Sequence, residues 1–239
     1  MNKTSIEWCD YTWNPVTGCK HGCPYCYARK IAERFKGSKA WPNGFEPSFH
    51  PIRLDEPRHA GRQYYSAFPK GSTIFVCSMA DLFGAWVPDE WISRVIDAAE
   101  RVPRHTYIFL TKNPVRYLTT IPGTILEKKN FWFGTTVTNQ NDVQRIADLQ
   151  KLPEGNKFVS FEPVLGDRFD LDLTDIKQVI IGTQTNPNLP IHAGPLVRIL
   201  EAADDAGCKV FMKDNLQVIG GWTPVRKELA WPLQKGGKA

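Results

Sequence analysis

The fold is decided by residues 73–110, which read TIFVCSMADLFGAWVPDEWISRVIDAAERVPRHTYIFL. This stretch begins with Thr73–Val76, a short run of β-branched and aromatic residues that is typical of a buried strand. Residues 89–101 then carry apolar side chains at helical spacing, and residues 106–110 return to a strand-like composition. The order predicts a β-α-β unit with two parallel strands joined by a helical crossover.

The same alternation extends along the rest of the chain. Further strand-like runs are residues 11–16, 131–135, 157–161, 178–181 and 209–212. Further helical patterns are residues 25–35, 114–119, 142–152 and 195–206. Seven strands alternating with helices predict an α/β fold, either an open doubly wound sheet or a barrel. We favour a partial (β/α) barrel of parallel strands, with functional residues at the carboxyl ends of the strands.

Length and composition limit the class of protein. The 239 residues are 42% hydrophobic and 23% charged, which favours a folded core and excludes wholesale disorder. No apolar run approaches the roughly 20 residues that cross a bilayer, so we expect no membrane association. Residues 1–7 lack the apolar stretch of a secretory signal, and we therefore expect a cytoplasmic protein. The net charge of +5 is compatible with a polyanionic partner without requiring one.

We interpret residues 1–239 as one domain with a long insertion at about residues 39–70. Ordinary αβ connections have about 2 to 6 residues, and much longer segments often have a function. We expect this insertion to cover the active site and contact substrate, although a surface loop with solvated charges and inward-packed aromatic residues is the alternative. Its basic residues are Lys39, Arg53, Arg58, Arg62 and Lys70. They alternate with Trp41, Phe45, Phe49, Tyr64, Tyr65 and Phe68.

Three of the six cysteines lie in one short loop between the first predicted strand and the first predicted helix. Cys19, Cys23 and Cys26 have the spacing C-x3-C-x2-C, and Gly18 and Gly22 allow the loop to turn around a common centre. Thiolates hold iron–sulfur clusters, and a cubane cluster normally takes four of them. Three cysteines would therefore leave one iron without a protein ligand.

A zinc site is the alternative interpretation of the same loop. Structural zinc takes four cysteine or histidine ligands, and Cys9 or His21 would be the fourth here. The other histidines have no metal-ligand spacing, and we expect Cys77 and Cys208 to be small buried apolar side chains.

The cysteine spacing, with the aromatic Tyr25 directly before the last cysteine, resembles the signature of the radical S-adenosylmethionine (radical SAM) superfamily. The resemblance implies a [4Fe-4S] cluster on Cys19, Cys23 and Cys26, with the amino and carboxylate groups of S-adenosylmethionine on the fourth iron. It implies that an electron from the reduced cluster cleaves S-adenosylmethionine to a 5′-deoxyadenosyl radical, which abstracts hydrogen from a substrate. It also implies a reductant such as flavodoxin or ferredoxin.

Blocks along most of the chain resemble a phage- and prophage-associated subfamily of radical SAM-like proteins. These blocks are residues 6–8, 12–19, 26–28, 78–83, 110–114 and 160–166.

The resemblance gives cofactor-binding roles to Tyr25 and to polar residues that follow predicted strands, namely Ser78, Asp81, Thr136 and Glu162. A carboxylate such as that of Asp81 would pair with the methionyl ammonium group. Hydroxyl groups such as that of Thr136 suit a ribose. We assign no catalytic residue.

Each of these polar residues also has a purely structural interpretation. Asp81 would accept hydrogen bonds from backbone amides near a helix start, and Thr136 would stabilise a turn. Serine is common at strand ends, so Ser78 has the least specific signal. Glu162 would form an ion pair with Lys112 or Lys213.

Three functional hypotheses remain from the sequence. The first is a radical SAM enzyme whose substrate is a nucleotide or nucleic acid, with a peptide or small metabolite as alternatives. The second is a non-catalytic module in which zinc or an iron–sulfur cluster only stabilises the amino-terminal loop. The third is a metal-independent nucleic-acid binder, which only the mild positive charge supports.

Overall fold

A computed structural model of the protein describes residues 1–38, 41–58, 71–185 and 187–234. Contacts within the chain divide it into two compact units. Unit 1 consists of Met1–Thr111, Thr119–Ile121 and Trp231–Ala239, and unit 2 consists of Lys112–Leu118 and Pro122–Ala230. Of the insertion predicted at about residues 39–70, residues 41–58 are described, whereas 39–40 and 59–70 lie outside the described residues.

Unit 1 contains a mostly parallel sheet. Its elements are β1 (Asn2–Lys3), β2 (Tyr11–Trp13), β3 (Val16–Thr17), α1 (Tyr27–Arg34), β4 (Ser48–Phe49), a 3-10 helix (Pro51–Arg58), β5 (Thr73–Val76), α2 (Asp89–Glu100) and β6 (Thr106–Thr111). Strand β5 pairs in parallel with both β2 and β6, and β1 is antiparallel to β2. Strands β3 and β4 form a separate antiparallel pair.

Unit 2 repeats the strand and helix alternation. Its elements are α3 (Val115–Thr120, whose last two residues belong to unit 1), α4 (Gly123–Leu126), β7 (Phe131–Thr136), a 3-10 helix (Gln140–Asp142), α5 (Gln144–Gln150), β8 (Lys157–Phe161), β9 (Gln178–Ile181), α6 (Ala193–Asp205) and β10 (Lys209–Met212). Strands β7, β8, β9 and β10 pair in parallel in that order. The expected α/β fold of parallel strands is therefore confirmed.

The strands are buried on both faces, which explains their continuous apolar sequences. All four residues of β5 are buried, and Trp13 of β2 packs against Tyr107 of β6 with ring centroids 6.3 Å apart. In unit 2, Phe158 is fully buried over Gly134, where an added Cβ atom would lie 2.3 Å from its ring. Each large side chain buried in this way stabilises the fold by about 1.5–3 kcal/mol.

The strand predicted at residues 11–16 is wrong in its second half. Strand β2 ends at Trp13 because Asn14 turns its side chain toward the segment after β5, and Pro15 has no N–H group to donate. Val16 instead pairs with Phe49 across the antiparallel β3–β4 ladder. The short elements β1, β4, α4 and the two 3-10 helices were not predicted from the sequence.

The helix predicted at residues 142–152 is also shorter than expected. Asn139 accepts a hydrogen bond from Asn141 N–H at 2.9 Å, and Asp142 Oδ2 accepts one from Thr138 N–H at 2.9 Å. These contacts form a tight 3-10 turn, so α5 begins only at Gln144. The first helix begins at Tyr27 rather than at residue 25 because Cys26 caps it.

In the described part of the chain, no helix has both the length and the apolar character that a membrane span requires.

Candidate metal and cofactor site

The cysteine loop of unit 1 is held at its start by backbone contacts that require glycine. Gly18 N–H donates to Met79 O at 3.0 Å, and Cys19 N–H donates to Phe45 O at 3.1 Å. Gly18 has φ +85°, and an added Cβ atom would lie 2.3 Å from Glu46 O. The loop is therefore fixed to two neighbouring segments at a position where a side chain does not fit.

The pKa of Cys19 is affected by the other two thiols of this loop. Cys19, Cys23 and Cys26 are free and half-buried. Burial raises the pKa of Cys19 to about 12, a backbone hydrogen bond from His21 opposes the rise, and the negative charges of Asp81, Cys23 and Cys26 add to it. Cys23 and Cys26 thus lie near enough to Cys19 for their charges to affect its thiol.

Cys26 lies at the amino terminus of a helix. It caps α1, and its Sγ atom accepts a hydrogen bond from Arg29 N–H at 3.4 Å. Cys26 is therefore held in place by the first turn of α1.

Apolar side chains surround the same sulfur atoms. Cys19, Cys26 and Met79 pack against a buried cluster of Ala28, Ala32, Trp41 and Phe45. This side of the loop is therefore shielded from water.

A histidine inside the cysteine loop is bound to the buried Asp81. His21 Nε2 lies 2.6 Å from Asp81 Oδ2, and the His21 ring meets Trp86 edge to face at a centroid distance of 4.7 Å. Asp81 Oδ1 also accepts hydrogen bonds from Thr111 Oγ1 at 2.7 Å and from Phe83 N–H at 3.1 Å. The backbone contact agrees with the structural interpretation of Asp81, and its charge lies near enough to Cys19 to raise the pKa of that thiol.

Ser78 and Asn14 connect the ends of β2 and β5. Asn14 Oδ1 accepts hydrogen bonds from Met79 N–H at 3.0 Å and from Ser78 Oγ at 3.2 Å. Tyr27, directly after Cys26, donates from its hydroxyl to Ser78 O at 2.8 Å. Sequence reasoning missed Asn14 and Tyr27, and their only signal was proximity to predicted strand and cysteine positions.

A cavity of about 640 Å³ lies within unit 1 and is bordered by Ser78 and Met79. Tyr27, Trp41 and Arg53 also line it. Met79 and Trp41 also belong to the apolar surroundings of Cys19 and Cys26, so this cavity adjoins the cysteine loop. Tyr25, the aromatic residue of the predicted signature, is half-buried in the loop itself.

The remaining predicted cofactor residues belong to unit 2. Thr136 is buried at the end of β7, where its carbonyl accepts a hydrogen bond from Arg145 Nη1 at 2.9 Å. Glu162 follows β8, forms an ion pair with Lys213, and accepts a hydrogen bond from Ser160 Oγ at 3.2 Å. The ion pair expected as the structural interpretation of Glu162 is therefore present.

Unit 2 also holds a polar gap beside Glu162. Asn215 Nδ2 donates to Thr183 O at 2.7 Å, which fixes the side-chain amide so that Oδ1 is buried without a hydrogen-bond partner among the described residues. An added Cβ atom on Gly182 would lie 3.1 Å from Asn215 Oδ1 and 3.2 Å from Glu162 Oε1. The absence of a side chain at Gly182 leaves room beside two acceptors.

The cysteine loop fits an iron–sulfur cluster by its donor chemistry. It offers three free, half-buried thiols. Cys19 and Cys26 pack against apolar side chains, and Cys26 also lies at a helix amino terminus. Within the described ranges, no three cysteine, histidine or acidic side chains already form a metal-binding arrangement. Cys9, proposed as a fourth zinc ligand, is fully buried in the core, as Cys77 and Cys208 nearly are.

The structure is similar to spore photoproduct lyase, a radical SAM enzyme. A cysteine-to-alanine mutant of that enzyme, with dinucleoside spore photoproduct, matches with a TM-score of 0.51 at 12% identity, over 77% of this chain and 58% of that chain. The enzyme complexed with dinucleoside spore photoproduct matches with a TM-score of 0.48 at 12% identity, over 84% of this chain and 62% of that chain.

By sequence, the chain belongs to the family described as "Protein of unknown function (DUF5131)", whose model matches residues 3–236. None of the curated proteins compared matches it. The likeness to spore photoproduct lyase, at 12% identity, shows the fold alone and confirms the predicted radical SAM-like fold class. The chain spans less than two thirds of the length of the lyase structures. The phage association stays a prediction.

Proposed function

We propose that the protein is a radical SAM enzyme that binds a [4Fe-4S] cluster through Cys19, Cys23 and Cys26. The observation that carries the proposal is the presence of three free, half-buried thiols in one loop, with Cys19 and Cys26 packed against the same buried apolar cluster. When bound, the cluster and S-adenosylmethionine would supply a 5′-deoxyadenosyl radical for hydrogen abstraction from the substrate.

The chain's own contribution is to hold and shield that chemistry. Gly18 fixes the start of the loop, and Cys26 is held as the cap of the α1 amino terminus. Trp41 and Phe45 keep water from the apolar side of the loop. Exclusion of water protects a reactive radical from side reactions.

Cofactor contacts in unit 1 are assigned to Tyr25, Ser78 and Asp81. The negative charge of Asp81 near Cys19 suits the methionyl ammonium group, and Ser78 borders the cavity beside the loop. Tyr25 would cover the loop between Cys23 and Cys26. These roles rest on the superfamily resemblance together with the contacts of these side chains.

Thr136 and Glu162 are the proposed cofactor residues of unit 2. Both stand at carboxyl ends of parallel strands, where α/β folds bind their ligands. The acceptors Glu162 Oε1 and Asn215 Oδ1 beside Gly182 suit a ligand that donates hydrogen bonds, such as a ribose hydroxyl or an amino group.

A nucleotide or nucleic acid is the proposed substrate, and flavodoxin or ferredoxin the proposed type of reductant. The charge of +5 and the aromatic lining of the cavity by Tyr27 and Trp41 support a nucleotide ligand. The matched lyase structure contains a dinucleoside, which is consistent with this substrate class. We place the enzyme in the cytoplasm.

One contact favours a second candidate function, a non-catalytic zinc module. Histidines that bind zinc commonly donate their other ring N–H group to a carboxylate. His21 Nε2 bonds Asp81 in this way, and Nδ1 would then be the fourth zinc ligand together with the three cysteines. The loop would then be closed around zinc, with no open position for a cofactor.

Anaerobic reconstitution separates the two functions. The enzyme proposal expects iron and sulfide in the protein, and cleavage of S-adenosylmethionine to 5′-deoxyadenosine and methionine after reduction. Cleavage is expected to be slow without substrate. Bound zinc without iron, and no cleavage under strong reduction, would refute the enzyme proposal.

A further inference from the structure

Arg53 is a cation that lines the unit 1 cavity, and none of the described carboxylates pairs with it. Its Nη1 atom donates to Asn14 O at 2.8 Å, and within the described residues no carboxylate oxygen lies within 4 Å of the guanidinium group. The guanidinium group keeps its charge at all ordinary pH values and has further N–H donors in a fork that fits phosphate or carboxylate. An anion in the cavity would provide the missing partner.

The neighbouring charges on the same 3-10 helix differ from Arg53 because they have partners. Arg58 lies 3.6 Å from Asp55, and both are exposed. Glu56 also lines the cavity, and its carboxylate forms an ion pair with the amino group of Met1. Among the charged residues of this helix, Arg53 therefore has the positive charge that an anionic ligand in the cavity could pair with.

The uncharged polar groups around the cavity already have internal contacts. Ser78 Oγ donates to Asn14 Oδ1, and the Tyr27 hydroxyl donates to Ser78 O. Thr17 Oγ1 lies 2.8 Å from His50 Nε2, and burial together with the charge of Arg53 lowers the pKa of His50 to about 4. His50 is thus neutral at pH 7, and it adds no positive charge to that of Arg53.

We propose that Arg53 binds a phosphate group of a nucleotide substrate in this cavity. The inference rests on the proposed function and names the substrate class and the residue that anchors it. The volume of about 640 Å³ is in the range of small-molecule sites, and the rings of Tyr27 and Trp41 provide surfaces for a base. The cavity adjoins the cysteine loop, so a ligand anchored there lies beside the proposed cluster.

The test compares adenosine 5′-monophosphate with adenosine by isothermal titration calorimetry on the reconstituted protein. The wild type is expected to bind the monophosphate about tenfold more tightly, because the phosphate adds charge-assisted hydrogen bonds. Arg53→Ala should remove that preference and Arg53→Lys should keep part of it. Arg58→Ala is the matched control and should leave it unchanged. Circular dichroism melting shows whether each variant is folded.

Three results would overturn the inference. The first is equal binding of both ligands, or binding of neither, by the wild type. The second is an equal loss of preference in Arg53→Ala and Arg58→Ala, which indicates a general charge effect. The third is weaker binding of S-adenosylmethionine in Arg53→Ala with the monophosphate unaffected, which assigns the anion to the cofactor carboxylate.

Iron content and S-adenosylmethionine cleavage are measured on the same preparation as nucleotide binding. These measurements show whether the Arg53 site or the radical function is absent. A protein that cleaves S-adenosylmethionine but binds both ligands equally loses only the Arg53 site. A protein without iron that still prefers the monophosphate loses only the radical function.

Discussion

His21 Nε2 lies 2.6 Å from Asp81 Oδ2, and this contact ties the centre of the cysteine loop to the segment that follows β5. Asp81 is only 5% exposed and also accepts hydrogen bonds from Thr111 and Phe83. A carboxylate with several partners at a buried position restrains each of the segments it joins. The position of His21 between Cys19 and Cys23 is therefore set by Asp81.

Replacing Asp81 is expected to destabilise the unloaded protein and to loosen the loop. Asp81→Ala leaves three donors without their acceptor, which costs about 1–3 kcal/mol for a buried group. Urea denaturation measures the loss. Asp55→Ala, which breaks an exposed ion pair with Arg58, is the control and should cost at most about 1 kcal/mol. An equal loss of folding stability in the two variants would show that Asp81 does not stabilise the cysteine loop.

Gly18 and Gly22 are expected to respond differently to alanine. Gly18→Ala brings a Cβ atom to 2.3 Å from Glu46 O, so the backbone must move and reconstituted iron should fall sharply. Gly22 also has a positive φ, but no atom lies within 4 Å of the Cβ atom that Gly22→Ala would add. The loss of folding stability should therefore stay near the strain of a left-handed backbone, about 1–2 kcal/mol. Thermal melting and iron content check both variants, and a larger loss for Gly22→Ala would refute this account.

Stability is expected to fall in mild acid because of His105. Burial and the adjacent Arg104 lower the pKa of His105 to about 4, and its Nε2 atom accepts a hydrogen bond from Arg104 Nε at 3.3 Å. The unfolded chain takes up this proton near pH 6.5, the folded protein only near pH 4. The contribution of His105 to the free energy of unfolding is therefore fully present above pH 6.5 and is lost as the pH falls toward 4. The loss is at most about 1.4 kcal/mol per pH unit.

Urea denaturation of His105→Gln against the wild type at several pH values measures this contribution. The slope between pH 6.5 and 4 should be smaller in the variant, and His50→Gln should reduce it as well because His50 has the same direction of shift. An unchanged slope in both variants would show that the two histidines do not control acid stability.

Glu162→Gln tests the proposed role of Glu162 in cofactor binding. The change removes the charge that faces Lys213 but keeps the size of the side chain and its hydrogen bond from Ser160. We expect binding of S-adenosylmethionine to weaken several-fold while the protein stays folded. Glu201→Gln, which alters an exposed ion pair with Arg198, is the control. Unchanged affinity in Glu162→Gln would leave Glu162 with a structural role only.

The regular elements of the fold could be predicted because their residues are buried on both faces. Strands β5, β8, β9 and β10 have the predicted bounds. Their runs of β-branched and aromatic residues are typical of buried parallel strands and show where each strand begins and ends. Strand β2 could not be bounded from sequence, because its end depends on a contact between Asn14 and Met79, which is 65 residues away. The two-residue strands have too little periodicity to detect.

The candidate site was predictable only where spacing carries the information. Cys19, Cys23 and Cys26 follow from their spacing, but Cys26 as a helix cap did not follow, because the helical pattern was expected to begin at residue 25. The partners of Asp81 did not follow, because His21 lies 60 residues away in sequence. The difference between Arg53 and Arg58 also required coordinates, since both look alike in a basic segment and, among the described residues, only Arg58 has a carboxylate partner.

The most direct test of the central claim is iron and sulfide content, with the electron paramagnetic resonance signal of the reduced protein, after anaerobic reconstitution. The wild type should bind about four iron atoms. Cys19→Ala, Cys23→Ala and Cys26→Ala should each lose the cluster, whereas Cys9→Ala and Cys208→Ala should keep it. Full iron in any one of the three loop variants, loss of iron in Cys9→Ala, or zinc in place of iron in the wild type would contradict the account.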